Sequence, residues 1–219
     1  MQGVAWSSWD GHVRWSAPSE GTFITTEAKL ADTPLFVRQG AVVAMWPPGR
    51  RATAPPDRTK VFAIWTAAKG SNSSGSGIWY EDDGETLDYH AGPSGHARSV
   101  LSWVQTSTGH ITVNISSPTK AVAWLPHNYR TFAVQLRGVT GGSLGRVQVC
   151  HSSDPGSTPT KCTDLTPTDN PSADPEWTLA GWWLQGANGA ESAVPEGTAV
   201  VVLPPLGLHS VASLQVELL

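Results

Sequence analysis

The densest collection of reactive side chains lies in GSGIWYEDDGETLDYHAG, residues 75–92. Five carboxylates, Glu81, Asp82, Asp83, Glu85 and Asp88, fall within eight positions, with Trp79, Tyr80 and Tyr89 beside them. Three kinds of chemistry fit that composition: a pair of carboxyls acting as acid and base, an oxygen cage for calcium, or a solvated turn. A glycosidase pair must face across a sugar bond, about 5 Å apart if retaining and about 6.5–9.5 Å if inverting. Asp82 and Asp83 are chain neighbours and in an extended segment point to opposite faces, so they do not form such a pair. An EF-hand needs oxygen ligands at positions one, three and five, Gly at six and Glu at twelve. YEDDGETLDYH lacks that order, which leaves only a looser calcium set of Asp82, Asp83 and Glu85. Asp83-Gly84 is a turn signal, because Gly accepts positive φ without a Cβ penalty. The favoured reading is a hairpin, with GIWYE running in and ETLDYH running out. On that reading the cluster supplies neither a catalytic residue nor a metal site.

Other reactive residues are sparse. The seven His are scattered, with no pair at metal-binding helical spacing. Cys150 and Cys162 flank HSSDPGSTPTK and lack the Cys/His company of a structural zinc site. They are expected to close that loop as a disulfide, with two buried free thiols as the alternative. Asn72 (NSS) and Asn114 (NIS) are glycosylation sequons, whereas Asn170 precedes Pro and is excluded. Sequons and cysteines together lean toward a secretory-pathway history. Trp182-Trp183 is a candidate sugar-stacking platform; the alternative is one ring in the core and its neighbour on the surface. No residue set implies a cofactor.

The elements that must carry these residues are strands. The chain has 219 residues, 22 of them Gly and 17 Pro, and both residues break helix interiors. Apolar–polar alternation marks strands at 22–30, 60–65, 76–81, 99–105, 110–116, 121–125, 132–139, 145–150, 198–203 and 211–218. The class is therefore all-β, as two antiparallel β-sandwich segments. MWPPGRRATAPPDRT, with four prolines, places a boundary near residue 57. Residues 1–57 hold too few strands to close a sandwich, so the first segment is incomplete. Residues 58–219 form the second, with a long polar insertion at 152–177. The net charge of −4 and the lack of a basic block argue against nucleic acid or anionic membrane as main partners. No apolar run reaches the roughly 20 residues of a membrane helix. The first residues carry no secretory leader pattern, so either the mature protein is cytosolic or the true N-terminus lies upstream. The incomplete first sandwich favours the second expectation.

Three motifs resemble glycoside hydrolase family thirty-one, the family of α-glucosidases and α-xylosidases. They are WSSWDG at Trp6–Gly11, LADTPLFVRQGAVVAMWPP with Leu30, Asp32, Pro34, Phe36, Arg38 and Gly40, and YEDDGET with Tyr80, Asp82, Asp83 and Gly84. They stand in the family's order and cover about residues 6–117. The resemblance implies a (β/α)8 barrel followed by proximal and distal C-terminal sandwiches. Residues 1–57 would be later strands of the proximal domain, and residues 58–219 the distal one. It also implies catalysis by two barrel aspartates whose motifs are absent here, so no catalytic residue carries over. The expected role is a non-catalytic region bracing the missing barrel, with that barrel as partner. The alternative is a stand-alone carbohydrate-binding module with carbohydrate as partner. Arg38, in an apolar strand, is expected to be buried against an acid or backbone oxygens, with an exposed edge arginine as the alternative. Gly40 is expected to permit a bulge or close approach.

Overall fold

The computed structural model describes residues 5–11, 13–16, 21–30, 33–46, 59–68, 70–83, 85–90, 92, 95–116, 131–139, 144–152, 161–167, 181–184, 198–203 and 211–218. Among them the fold is all-β. The strands are β1 (Ala5–Ser8), β2 (Arg14–Ser16), β3 (Phe36–Arg38), β4 (Val42–Met45), β5 (Thr59–Trp65), β6 (Ser73–Glu81), β7 (Ala97–Gln105), β8 (His110–Ser116), β9 (Thr131–Arg137), β10 (Leu144–Ser152), β11 (Lys161–Asp164), β12 (Gly181–Leu184), β13 (Ala199–Val202) and β14 (Val211–Leu218). A single 3-10 turn covers Asp88–His90.

Two sheets face each other. One has the order β11-β10-β14-β8-β7-β6, the other β12-β13-β9-β5-β4. All pairings are antiparallel except that of β5 with β9, which run parallel. In β7 burial alternates strictly along ARSVLSWVQ, the pattern of a strand with one face on the core and one in water. Leu101, Trp103, Ile111, Val113, Ile115, Val147, Val149, Leu214 and Val216 from the first sheet meet Phe62, Ile64, Phe132, Val134, Leu136 and Val201 from the second. Phe62 and Phe132 stack at 6.0 Å in its middle. At about 25 cal/mol per Å2 of apolar area, this layer is the main stabilising term.

β5 and β9 are buried at every position, because the five-stranded sheet is covered on its outer face as well. Part of that cover is a small sheet of order β2-β1-β3. Its Val37 packs with Ala63 and Trp65 of β5, joined by Trp9, Ala41, Val43 and Met45.

Two expectations change. Residues 22–30 form no strand, and Phe23 and Leu30 are fully exposed. Alternation defines a face, but a strand also needs a neighbour, and the small sheet offers this segment none. ETLDYH does not return the hairpin: β6 pairs with β7, from Glu81 opposite Ala97 to Ser73 opposite Gln105, and the acidic stretch is the connection between them. β4 pairs antiparallel with β5. The polar insertion contains a strand, β11. The expected strand at 121–125 lies outside the described residues.

Candidate functional site: the aromatic face of the small sheet

The acidic loop is local and open. Asp83 Oδ1 accepts hydrogen bonds from the Glu85 amide (3.1 Å) and the Thr86 amide (3.0 Å), and Oδ2 from the Thr86 hydroxyl (2.5 Å). Those bonds, the Thr86 hydroxyl first, hold the Asp83 carboxyl below its ordinary value. The carboxylate is thus spent on shaping its own turn. Tyr80 stacks on His96 at 5.3 Å. Desolvation first, then the charge of Asp82 and a hydrogen bond with it, push the Tyr80 phenol above its ordinary value. Among the described residues no set of three or more His, Cys, Asp or Glu is placed to hold a metal. Gly84 lies outside the described residues, as does Asp32 of the second motif.

The other two motifs build the junction between the small sheet and the sandwich. In WSSWDG the chain turns between β1 and β2: the Gly11 amide donates to Ser8 O at 2.9 Å, and the Ser8 hydroxyl donates to the Asp10 carboxylate. Gly11 has φ +82, and a Cβ there would come within 2.7 Å of the Gly138 amide nitrogen. The turn sits directly on the end of β9. Arg14 Nη2 donates to Gly138 O at 2.5 Å, and Trp65 Nε1 to Ser8 O at 3.2 Å.

Arg137, only 2% exposed, locks this contact. Its Nη1 donates to Trp9 O (2.7 Å) and its Nη2 to Gln135 Oε1 (3.0 Å). The guanidinium lies 4.8 Å from the Trp9 ring and 5.0 Å from the Trp65 ring. Burial pulls it down to about 10, with Asp10 opposing the shift. Among the described residues the buried arginine is therefore Arg137, not Arg38. Arg38 is exposed on β3; its carbonyl accepts the Ala41 amide at 3.0 Å, while its side chain makes no hydrogen bond or ion pair with the described residues. TFAVQLR and FVR both alternate, so the sequence did not separate the two arginines; β9 is covered on both faces in the fold, whereas β3 is not.

Gly40 is a close-approach glycine. It has φ +89, and its carbonyl accepts the Trp103 indole N–H at 3.3 Å across the edge where the two sheets meet. Gly75 on β6 faces the same carbonyl, where a Cβ would sit 1.8 Å from Gly40 O. Lys60, itself buried, reinforces this edge: its Nζ lies 2.8 Å from Glu81 Oε1, and 4.3 and 4.9 Å from the Trp46 and Trp79 rings.

The face of the small sheet turned away from the sandwich is the least satisfied surface described. Register places Trp6 opposite Trp15 and Arg38, with Val37 and Ser7 on the other, buried side. Trp6 is 40% and Phe36 39% exposed, and Trp15 packs edge-on to Phe36 at 5.4 Å. Leu35, Phe23 and Leu30 are exposed nearby in the chain. β3 is the last strand of its sheet among the described residues, so one of its edges has no described neighbour.

The remaining candidates lie elsewhere. Trp182 is half-buried against the core and its indole donates to Leu165 O at 3.2 Å; the side chain of Trp183 lies outside the described residues. Cys150 and Cys162 are joined by a disulfide between directly paired residues of β10 and β11. Asn114 is exposed in the middle of β8. Asn72 Oδ1 accepts the Ser107 amide at 2.7 Å.

No protein-family model matches the chain, and no curated protein sequence matches it. Solved structures do. A GH31 dextranase of Flavobacterium johnsoniae, solved with isomaltotriose, superposes at TM-score 0.66 and 16% identity over 99% of this chain. The fold resembles one stretch of a GH31 enzyme. This chain spans 23% of that dextranase. An uncharacterized Listeria monocytogenes protein shares the fold at TM-score 0.53 and 14% identity, over 98% of this chain and 16% of its own. A GH31 α-xylosidase of Xanthomonas citri is 24% identical over 62% of this chain and 13% of its own, at TM-score 0.45. The likeness in fold covers 99% of this chain, more than the span of about residues 6–117 that the sequence motifs cover.

Proposed function

We propose that this chain is the non-catalytic β-built region of a GH31-type glycoside hydrolase, and that it braces a catalytic (β/α)8 barrel through the outward face of the small sheet. The observation that carries this reading is that face. A three-stranded sheet has one side seated on the sandwich and the other, bearing Trp6, Trp15 and Phe36, left to solvent beside the edge of β3 that has no described neighbour. Exposed contiguous aromatic surface beside an unpaired strand edge marks an interface. Arg38, the cation on that face, then meets a carboxylate or carbonyl of the barrel. The parent enzyme would hydrolyse O-glycosyl bonds, in line with the dextranase and α-xylosidase named above. The acidic loop supports the same division of labour, since Asp83 is committed to its turn and leaves the hydrolytic carboxyls to the barrel.

The test has two arms. Purified chain incubated with p-nitrophenyl α-glucoside is expected to give no turnover; activity that co-elutes with the chain through repurification overturns the reading. The coding sequence preceding Met1 is expected to encode a barrel. If it encodes none, and calorimetry with maltooligosaccharides at millimolar concentration gives heat, the chain is a carbohydrate-binding module instead.

A further inference from the structure

The second feature lies at the opposite edge of the sandwich from Gly40 and does not depend on the docking face. Among the described strands, β10 is covered on its outer side only by β11, a strand of four residues. Beyond β11 the chain crosses to the other sheet. The Leu165 amide donates to Val147 O at 2.9 Å, the Trp182 amide to Thr166 O at 3.3 Å, and Pro167 bridges Trp182. Residues 161–167 therefore close the gap between β10 of one sheet and β12 of the other, with Leu165 and Trp182 packed on the core rim.

Few interactions hold this closure to β10. Arg146 Nε donates to Asp164 Oδ1 at 2.8 Å and Nη2 to Oδ2 at 3.2 Å, but both side chains are mostly in water, where such pairs contribute little. Gln148 Nε2 adds a bond to Asp164 Oδ1 at 3.2 Å, also exposed. A four-residue ladder has few main-chain bonds of its own. The covalent link from Cys150 to Cys162 is the one strong tie. It is also asymmetric: Cys150 is 3% exposed, whereas Cys162 is exposed.

We infer that the Cys150–Cys162 disulfide is a redox-releasable clasp that keeps β11 over the edge of β10. A thiolate of glutathione or of a dithiol attacks the accessible sulfur of Cys162, forming a mixed disulfide there and expelling Cys150 as a thiolate. A second thiolate then displaces Cys162, leaving the reductant as a disulfide. Two electrons pass to the cysteine pair, and each released thiolate takes a proton from water. Once freed, β11 frays, and the contacts of Leu165, Thr166 and Pro167 with Trp182 loosen with it. The outer edge of β10 is then an unpaired strand beside Val147 and Val149, the kind of edge that recruits another chain. The oxidised form is guarded against such pairing, and the reduced form is open to it.

The experiment starts from the folded, oxidised chain, so the result does not depend on a variant folding. Brief exposure to glutathione followed by alkylation is expected to trap the adduct on Cys162. After full reduction with dithiothreitol, hydrogen-exchange protection at Thr163 and Leu165, whose amides face β10, is expected to fall on the order of 100-fold, while Leu101 and Val113 keep theirs. Sedimentation should then detect self-association in the reduced form only. Three results each overturn the clasp: an adduct on Cys150, unchanged protection of β11 after reduction, or an equal loss across all strands, which would make the bond a staple of the whole fold. C162S, if it folds, is expected to match the reduced protein without reductant.

Discussion

Replacing Gly75 with alanine tests the closest approach in the molecule. The added Cβ would lie 1.8 Å from Gly40 O and 2.9 Å from Trp103 Nε1, against an ordinary contact of 3.4 Å or more. Relief requires β4 and β6 to part by more than an ångström, since the obstacle is backbone and not the tip of a flexible side chain. Overpacking of this kind costs about 1–3 kcal/mol. Parting the strands also lengthens the 3.3 Å bond from the Trp103 indole to Gly40 O, leaving a buried donor unsatisfied at about 1–3 kcal/mol. Restricting the unfolded chain returns about 0.4–1 kcal/mol. The net expectation is a loss of about 3 kcal/mol, or roughly 6–12 °C in Tm for a domain of this size. Urea unfolding followed by tryptophan fluorescence reads it, with Ser76→Ala on the neighbouring exposed position as a control near zero. Gly40→Ala strains the same edge from the other side, through its φ of +89 and a Cβ 2.7 Å from Ser74 O. The double variant should therefore cost less than the sum of the two. A Gly75→Ala protein within about 1 kcal/mol of the wild type would refute the claim that this contact closes the sandwich.

Arg137→Met removes the fork to Trp9 O and Gln135 Oε1 and the cation between the Trp9 and Trp65 rings; a loss of about 3 kcal/mol in urea unfolding is expected, and Arg137→Lys should recover less than half of it, because an ammonium cannot span both acceptors and both rings. Full recovery by lysine would show that charge alone matters there. On the acid side, Asp83 and Asp164 have lowered carboxyl values in the fold, so their contribution is complete above the ordinary 3.8 and is lost as pH falls through the lowered values. A carbon-detected titration should find the Asp83 midpoint below 3.8, and Thr86→Val should move it upward; a midpoint that ignores Thr86 contradicts the hydrogen-bond assignment.

The amino-acid sequence by itself determined the class and most of the central strands. HITVNIS and VASLQVEL were legible residue for residue as β8 and β14, because period-two burial is written into composition wherever one face meets a core and the other meets water. Gly and Pro excluded long helices for equally local reasons. The site was less legible. The acidic cluster drew attention because reactive side chains are visible in a string of letters, yet Asp83 is occupied with its own turn and Glu81 with Lys60. Arg38 and Arg137 both stand in apolar runs, and only the packing of Trp9 and Trp65 decided which one is enclosed. The short strands β11 and β12 were missed, and those of the first segment were expected without exact bounds, Arg38 in one of them: three or four residues carry too little periodicity, and their pairing is fixed by partners distant in the chain. TFITTEAKL failed in the opposite direction, since alternation alone cannot supply a neighbouring strand. Local chemistry thus fixed what each segment prefers, while the open face of the small sheet, the Gly40–Gly75 contact and the edge guarded by Cys162 exist only once distant strands meet.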